Sequence, residues 1–325
     1  TGNIQLGGGY GSYGGLLVSV SVDDRNVWGS GINVGIKAEK SLMTQNYSFS
    51  ISNPRLNDSD FSGNFSLFQS ENEYTDYTVS TDGLNVGTGY RFTRHLSGYL
   101  GYGYSSNTYS NFIDLNNTSP YYESYSKSSV SISVSFDNTD DFYLPREGMT
   151  LTQSFEKAGL GADADFIKSR TSFGKFTGLE EYVGFDAIFR YKARLNIVEK
   201  TGNLPISLPI NEKFYMGGIG SVRGYQSYSL SPKDSFNNSI GGQKTFSNNL
   251  ELSLPLVDKA KMRLVTYLDW GFIGDDTITE ISRGGYGFGM EWFSPVGPIQ
   301  LMFSKPLNQQ PGDTTASFEF TMGQR

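Results

Sequence analysis

Apolar and polar residues alternate with a period of two through most of the chain, and helical spacing is hard to find. In "SSVSISVSFD", Val130, Ile132, Val134 and Phe136 alternate with Ser129, Ser131, Ser133 and Ser135. In "GINVGIKAEK", Ile32, Val34, Ile36 and Ala38 alternate with Asn33, Gly35, Lys37 and Glu39. "YVGFDAIFRYKARL" sets Val183, Phe185, Ala187, Phe189, Tyr191, Ala193 and Leu195 against Asp186, Arg190, Lys192 and Arg194. Successive side chains of a strand point to opposite faces, so each run has one apolar and one polar face.

Sixteen such runs are counted, at about 3–10, 14–23, 31–40, 44–52, 61–70, 80–92, 95–106, 126–137, 147–157, 166–177, 181–197, 245–254, 261–272, 284–294, 298–306 and 314–324. Clusters such as "NPRLNDSD", "SPVGP" and "NQQPGD" separate them as turns. Runs of roughly 9–12 residues suit tilted membrane-spanning strands, and an even count suits a bacterial single-chain barrel. The polar faces are Ser, Gly, Asn and charges, which suits a wet lumen, while Tyr and Phe gather near strand ends like an aromatic girdle. A soluble sandwich would need a larger Leu, Ile and Val core. A barrel with its apolar face inward would need a wide dry lumen that side chains cannot fill at this strand number. The fold class is therefore all-β: a 16-stranded antiparallel transmembrane β-barrel over residues 1–325.

Composition removes several functions. A net charge of -7 argues against nucleic acid as a partner. The absence of Cys and the single histidine, His95, leave no thiol nucleophile, no Cys-based metal site and no His-dependent triad. No enzyme activity, metal or cofactor is expected. His95 opens a strand beside Arg94 and reads as surface. Asp58/Asp60, Asp140/Asp141 and Asp275/Asp276 read as solvated turn acids.

Two stretches are too long for tight hairpins, 107–125 and roughly 198–244. The second contains "GGIGSVRGYQ", with Arg223 set among glycines. A phosphate loop would need a following Lys and Ser/Thr, and none follows. A solvated loop arginine and a packing latch both remain. Period two supplies partners for a latch. In "FSNNLELSLPL", Phe246, Leu250, Leu252 and Leu254 share the apolar face, so Glu251 points the other way. In "KMRLVTYLDWGF", Met262, Leu264, Leu268, Trp270 and Phe272 point outward, so Asp269 points inward. One guanidinium can engage two carboxylates, and glycines 217, 218, 220 and 224 would let the backbone come close to the wall. Arg190, Lys192, Arg194, Arg263 and Glu291 share the inward face and would form charge networks there.

"FYMGGIGS" followed by "VRGY" resembles the loop motif of the bacterial outer-membrane protein assembly insertases, the BamA family. The first hairpin "LGGGYGSYGGLLVSVSVDDRNVWGSG", the segments "FDNTDDFYLPREG", "NLELSLPL" and "YLDWGFIGD", and the end "WFSPVGPIQLMFSKPLN" to "FEFTMG" are similar to that family in order along the whole chain. The resemblance implies a barrel with the long loop folded into the lumen, latched by Val222, Arg223, Gly224 and Tyr225 to Glu251 and Asp269. It implies a weak lateral seam between first and last strands, at Gly7, Gly8, Gly9, Phe318, Phe320 and Gly323. Glycine in a strand costs entropy and packs nothing, which supports weak pairing independently, though the same glycines could simply give packing room. The implied role is folding and inserting outer-membrane β-barrel proteins in the bacterial outer membrane. The implied partners are unfolded outer-membrane proteins, the lipid bilayer and lipopolysaccharide, and BAM lipoproteins reached through N-terminal POTRA domains that this chain lacks. Two departures stand out: the chain ends Gly323-Gln324-Arg325 without a terminal aromatic, and the motif loop has no cysteine pair. The alternatives are a sister insertase, a two-partner secretion translocator, and more remotely a passive porin.

Overall fold

Alternation of this kind leaves every strand with one face for lipid and one for the interior, and a closed ring satisfies both. The computed structural model describes residues 2–74, 76–111, 122–202, 207–294 and 297–323. Its strands are β1 (Gly2–Gly11), β2 (Gly15–Asp24), β3 (Asn33–Lys40), β4 (Thr44–Asn53), β5 (Phe61–Glu73), β6 (Thr78–Arg91), β7 (Leu96–Ser110) and β8 (Tyr125–Asp137). The ring continues with β9 (Gly148–Ala158), β10 (Phe166–Gly178), β11 (Ile188–Lys200), β12 (Lys244–Val257), β13 (Met262–Gly274), β14 (Ile281–Ser294), β15 (Gly297–Pro306) and β16 (Phe318–Met322). All sixteen form one closed antiparallel barrel in chain order. Among the described residues no helix is long and apolar enough to cross a membrane.

The facing follows the sequence parity. In β8, Ile132 and Val134 are exposed while Ser129 is buried. In β13, Leu268 is exposed and Arg263, Val265, Tyr267 and Asp269 are buried. Val18, Val20, Val22, Ile36, Leu67, Val86, Leu100, Leu151, Phe155, Leu250, Phe288 and Phe303 continue the exposed apolar belt around the ring. A continuous apolar belt is unsuited to water and fits the hydrocarbon of a bilayer.

Two runs begin well after the residue that the alternation indicates. The eleventh was expected from 181, but Glu180–Val183 form a short helix and the strand starts at Ile188. Val183 and Phe185 are exposed at that turn, whereas Ala187 is buried, so the alternation there reflects no common face. The sixteenth was expected from 314 and starts at Phe318.

Packing against the polar face of the wall is uneven. Residues 207–243 of the long β11–β12 connection pack against the polar face of the wall. Leu208 and Ile210 join Tyr77, Val79, Tyr109, Tyr125 and Phe166, while Met216, Val222, Tyr225 and Leu230 join Ile273. The connection thus supplies apolar partners to a wall face that is otherwise largely polar. Among the described residues, every buried side chain belongs to Tyr77 or a later residue; β1 to β5 contribute none. Most of the other long stretch, residues 112–121, lies outside the described residues.

Candidate functional site

Strands β12 and β13 place Glu251 and Asp269 on the buried parity, and the VRGY turn descends onto them. Arg223 Nε donates to Asp269 Oδ2 at 2.7 Å and Nη2 donates to Oδ1 at 2.7 Å. The Arg223 backbone N–H donates to the same Oδ2 at 3.0 Å. Nη1 lies 2.9 Å from Glu251 Oε1. The guanidinium thus spans both carboxylates, and its carbon sits 3.5 Å from the centre of the Tyr267 ring. Arg223 is only 2% exposed and Asp269 is fully buried, so water does not screen this contact. Burial alone would pull the guanidinium down, but the hydrogen bonds and charge of Asp269, with Glu251, outweigh it and hold its pKa above the ordinary value.

The glycines divide by role. Gly224 has a φ of 99°, and a Cβ there would lie 3.1 Å from the backbone of Lys305 and Pro306. It allows the turn to lie against β15. Gly217 and Gly218 also have positive φ, but they pack mainly against Gln226 and Ser227 of the same loop. Gly220 has open space around its Cβ position, contrary to the expectation of close approach; its carbonyl instead accepts from Arg194. Val222 and Tyr225 are fully buried in the loop core.

Around this centre lies a web of charge. Glu251 also meets Lys192 at 3.2 Å and Arg190 at 3.6 Å, and Arg190 meets Glu291 at 2.9 Å. Arg263 donates to Asp186 at 2.8 Å. Asp140 and Asp141 serve their own turn: Asp140 Oδ1 accepts from the Arg146 and Glu147 amides, and Asp141 Oδ1 from those of Tyr143 and Leu144. Asp275, read as a solvated turn acid, instead accepts from Lys213 of the long connection at 2.8 Å. Among the described residues no acidic or histidine cluster is arranged to hold a metal.

Sequence reasoning missed a second anchor of the same loop. Glu212 is buried and bonded to Lys168, and its Oε1 lies 2.9 Å from Lys127 and accepts from Tyr125 Oη at 3.1 Å. Neighbouring Asn211 accepts from Tyr109 and Tyr125. Burial would push the Glu212 carboxyl up, but Lys168 and Lys127 outweigh it and hold its pKa well below the usual carboxylate range. Inward parity of Lys168 and Lys127 was available as a signal; nothing local marks Glu212.

At the ends of the chain the wall is thin. β1 pairs with β2 through ten residue pairs and with β16 through two, Tyr10 with Met322 and Gly11 with Thr321. Ser12 adds a backbone bond to the Phe320 carbonyl at 2.9 Å. Gly323 N donates to Pro298 on the β15 side instead, at 2.9 Å. Gly2 to Gly8 have no partner in β16 among the described residues. A Cβ on Gly9 would lie 2.5 Å from the Met322 carbonyl oxygen, and one on Gly323 would lie 2.8 Å from that of Gly8. These two glycines give packing room where the chains cross, while Gly7 faces the Ser19 side chain and Gly8 meets nothing nearer than 3.8 Å. Phe318 lies tilted against Phe303 with ring centroids 5.1 Å apart, and Phe320 lies 5.8 Å from Tyr10.

The Omp85 superfamily domain matches residues 26–325. The outer membrane protein assembly factor BamA of Nitratidesulfovibrio vulgaris is 29% identical over 342 residues, a match covering 100% of this chain and 42% of that protein. The chain thus spans less than half the length of that relative. The crystal structure of BamA from Haemophilus ducreyi lacking POTRA domains 1-3 superposes with a TM-score of 0.89 at 21% identity, covering 99% of this chain and 69% of that one. CdiB from Acinetobacter baumannii superposes with a TM-score of 0.64 at 13% identity, covering 99% and 59%. Both structural likenesses concern the fold alone. With a family match over nearly its whole length and a closed barrel of sixteen strands, the chain belongs to the Omp85 superfamily.

Proposed function

We propose that this chain is the barrel of an insertase that folds and inserts β-barrel proteins into the bacterial outer membrane. The observation that carries the reading is the seam: among the described residues two residue pairs join β1 to β16, and Gly2 to Gly8 have no partner in β16. An open strand edge in lipid is a template for another strand, because the bilayer core offers nothing else to its backbone groups. Each strand pair made by a client satisfies such groups, so client folding itself supplies the drive. No covalent step and no nucleotide enter. The relative's name, an outer membrane protein assembly factor, agrees with this reading.

The loop is proposed to occupy the lumen and to be latched there through Arg223, with Glu251 and Asp269 as its receptors. Clients would be unfolded outer-membrane proteins, with bilayer lipid and lipopolysaccharide around the belt. Accessory lipoproteins would be reached through POTRA domains outside this chain. A translocator is the rival reading, and the likeness to CdiB is what favours it.

The experiment is a lock. Tyr10→Cys with Met322→Cys places thiols at directly paired positions, within the Cβ spacing that a disulfide bridges. In the full-length protein, oxidation should abolish insertion of a client barrel into vesicles, and reduction should restore it. Full activity with the seam locked would remove the seam from the mechanism.

A further inference from the structure

The segment ahead of β16 is where the loop and the seam meet. Its alternation would continue the strand back to Thr314, yet the strand begins at Phe318. The intervening backbone pairs with the VRGY turn instead. Ala316 N donates to the Gly224 carbonyl at 3.1 Å, and Gln226 N donates to that of Thr314 at 3.0 Å. Ser229 Oγ donates to the same Thr314 carbonyl at 3.2 Å, and Tyr225 and Thr315 are bridge partners.

The far end of this segment is gripped by the wall. Arg283 of β14 donates from Nε to Asp313 Oδ2 at 2.6 Å and from Nη2 to Oδ1 at 3.0 Å. Both side chains are largely withdrawn from solvent, at 14% and 11% exposure. Within β16, Glu319 turns toward the same loop. Its Oε1 would be 3.1 Å from a Cβ on Gly218, and its Oε2 has no hydrogen-bond partner.

We propose that residues 313–316 are a tether that couples the VRGY turn to the seam strand, with Arg283 and Asp313 as its positioning pair. The inference rests on the reading of the seam as the working surface. Among the described residues β16 has five residues and two pairs with β1. Its place is therefore set as much by the tether as by the seam. Residues 224–226 cannot leave the wall without either breaking the bonds to Thr314 and Ala316 or drawing those residues along. Release of Arg223 from Asp269 then loosens the seam at a distance.

The test uses the thiol pair of Tyr10→Cys with Met322→Cys in the full-length protein, read as the rate of disulfide formation. Arg223→Ala should slow oxidation by about threefold or more, beyond the roughly twofold scatter of independent sites. Arg283→Met should slow it too, although Arg283 belongs to neither β1 nor β16. Ala316→Pro removes the amide that bonds Gly224 and leaves the bonds to the Thr314 carbonyl, so in that background the Arg223→Ala effect should shrink. If Ala316→Pro yields no heat-modifiable folded barrel, Ser229→Ala replaces it and should reduce the effect. An Arg223→Ala effect that is absent, or equal with the tether intact and cut, overturns the proposal. Client insertion measured on the same variants separates the two readings. Coupled oxidation with insertion unchanged by the seam lock sinks the insertase reading and keeps the tether. Uncoupled oxidation with insertion lost on locking sinks the tether alone.

Discussion

Asp269 holds Arg223 by its backbone as well as its side chain: Oδ2 accepts from both Nε and the amide N–H. The two partners are therefore not equivalent. Replacing Arg223 by Ala leaves its amide bonded, whereas replacing Asp269 by Ala strips the amide, the guanidinium and Asn249 Nδ2 together. Breaking a buried ion pair from one side costs about 3–5 kcal/mol. Asp269→Ala should fall at or above the top of that range and Arg223→Ala below it. A double-mutant cycle on barrel stability should give coupling well above the roughly 1 kcal/mol of an exposed pair. Equal single costs with strict additivity would deny the asymmetry. Arg223→Lys should restore little, because an ammonium cannot span two carboxylates.

Gly224 offers a sharper steric test. Gly224→Ala places a methyl group against the Lys305–Pro306 backbone in a positive-φ conformation, and strain of that kind costs about 1–3 kcal/mol. Gly220→Ala meets open space without positive φ and should be near neutral. Denaturant titration of both variants decides this, and equal costs would contradict the packing described for the turn.

The lipid-facing parity of β8 predicts a contrast between neighbours. Ile132 is 52% exposed on the apolar belt. Ile132→Arg should cost about 2–4 kcal/mol if it lies near the bilayer midplane, and Ser131→Arg on the other face much less. Folding equilibria in vesicles read the difference; similar costs would reverse the facing.

Glu212 predicts an acid limb. Its carboxyl is held below its ordinary value near 4.5. Above that value both folded and unfolded chains carry the charge, and the stabilisation from Lys168 and Lys127 is fully present. As pH falls below it, the unfolded chain takes up a proton that folded Glu212 refuses, so stability declines toward the depressed folded value. Glu212→Gln should lower stability at pH 7 and flatten the slope between pH 5 and 3. An unchanged slope would exclude Glu212 as its source.

The alternation carried the strand count and the facing because lipid outside and polar interior impose one pattern on every strand. It misled where that pattern ran past the wall. Val183 and Phe185 keep the rhythm at a turn beyond the start of β11. Thr314 to Ala316 keep it while pairing with a loop. Arg223, Glu251 and Asp269 were legible together because parity fixed the two acids and the glycines marked the turn. Glu212 was not, since its partners Lys168 and Lys127 come from separate strands and only the docked loop unites them. A seam was expected from glycine content; in the structure β1 and β16 share two pairs among the described residues, and Gly9 and Gly323 serve close crossing.

The uneven filling of the ring has a mechanical consequence. From Tyr77 onward the wall is braced from within by the docked connection, whereas β1 to β5 carry no buried side chain at all. A hollow sheet bends where a braced one resists, because only the braced side must break packed contacts to change curvature. Any strain placed on the ring at its closure will therefore be taken up as flexing of β1 to β5, with β10 to β15 acting as the rigid anvil. The compliant wall ends at β1, so on the proposed function the molecule would yield on the side where an incoming strand has to be accommodated.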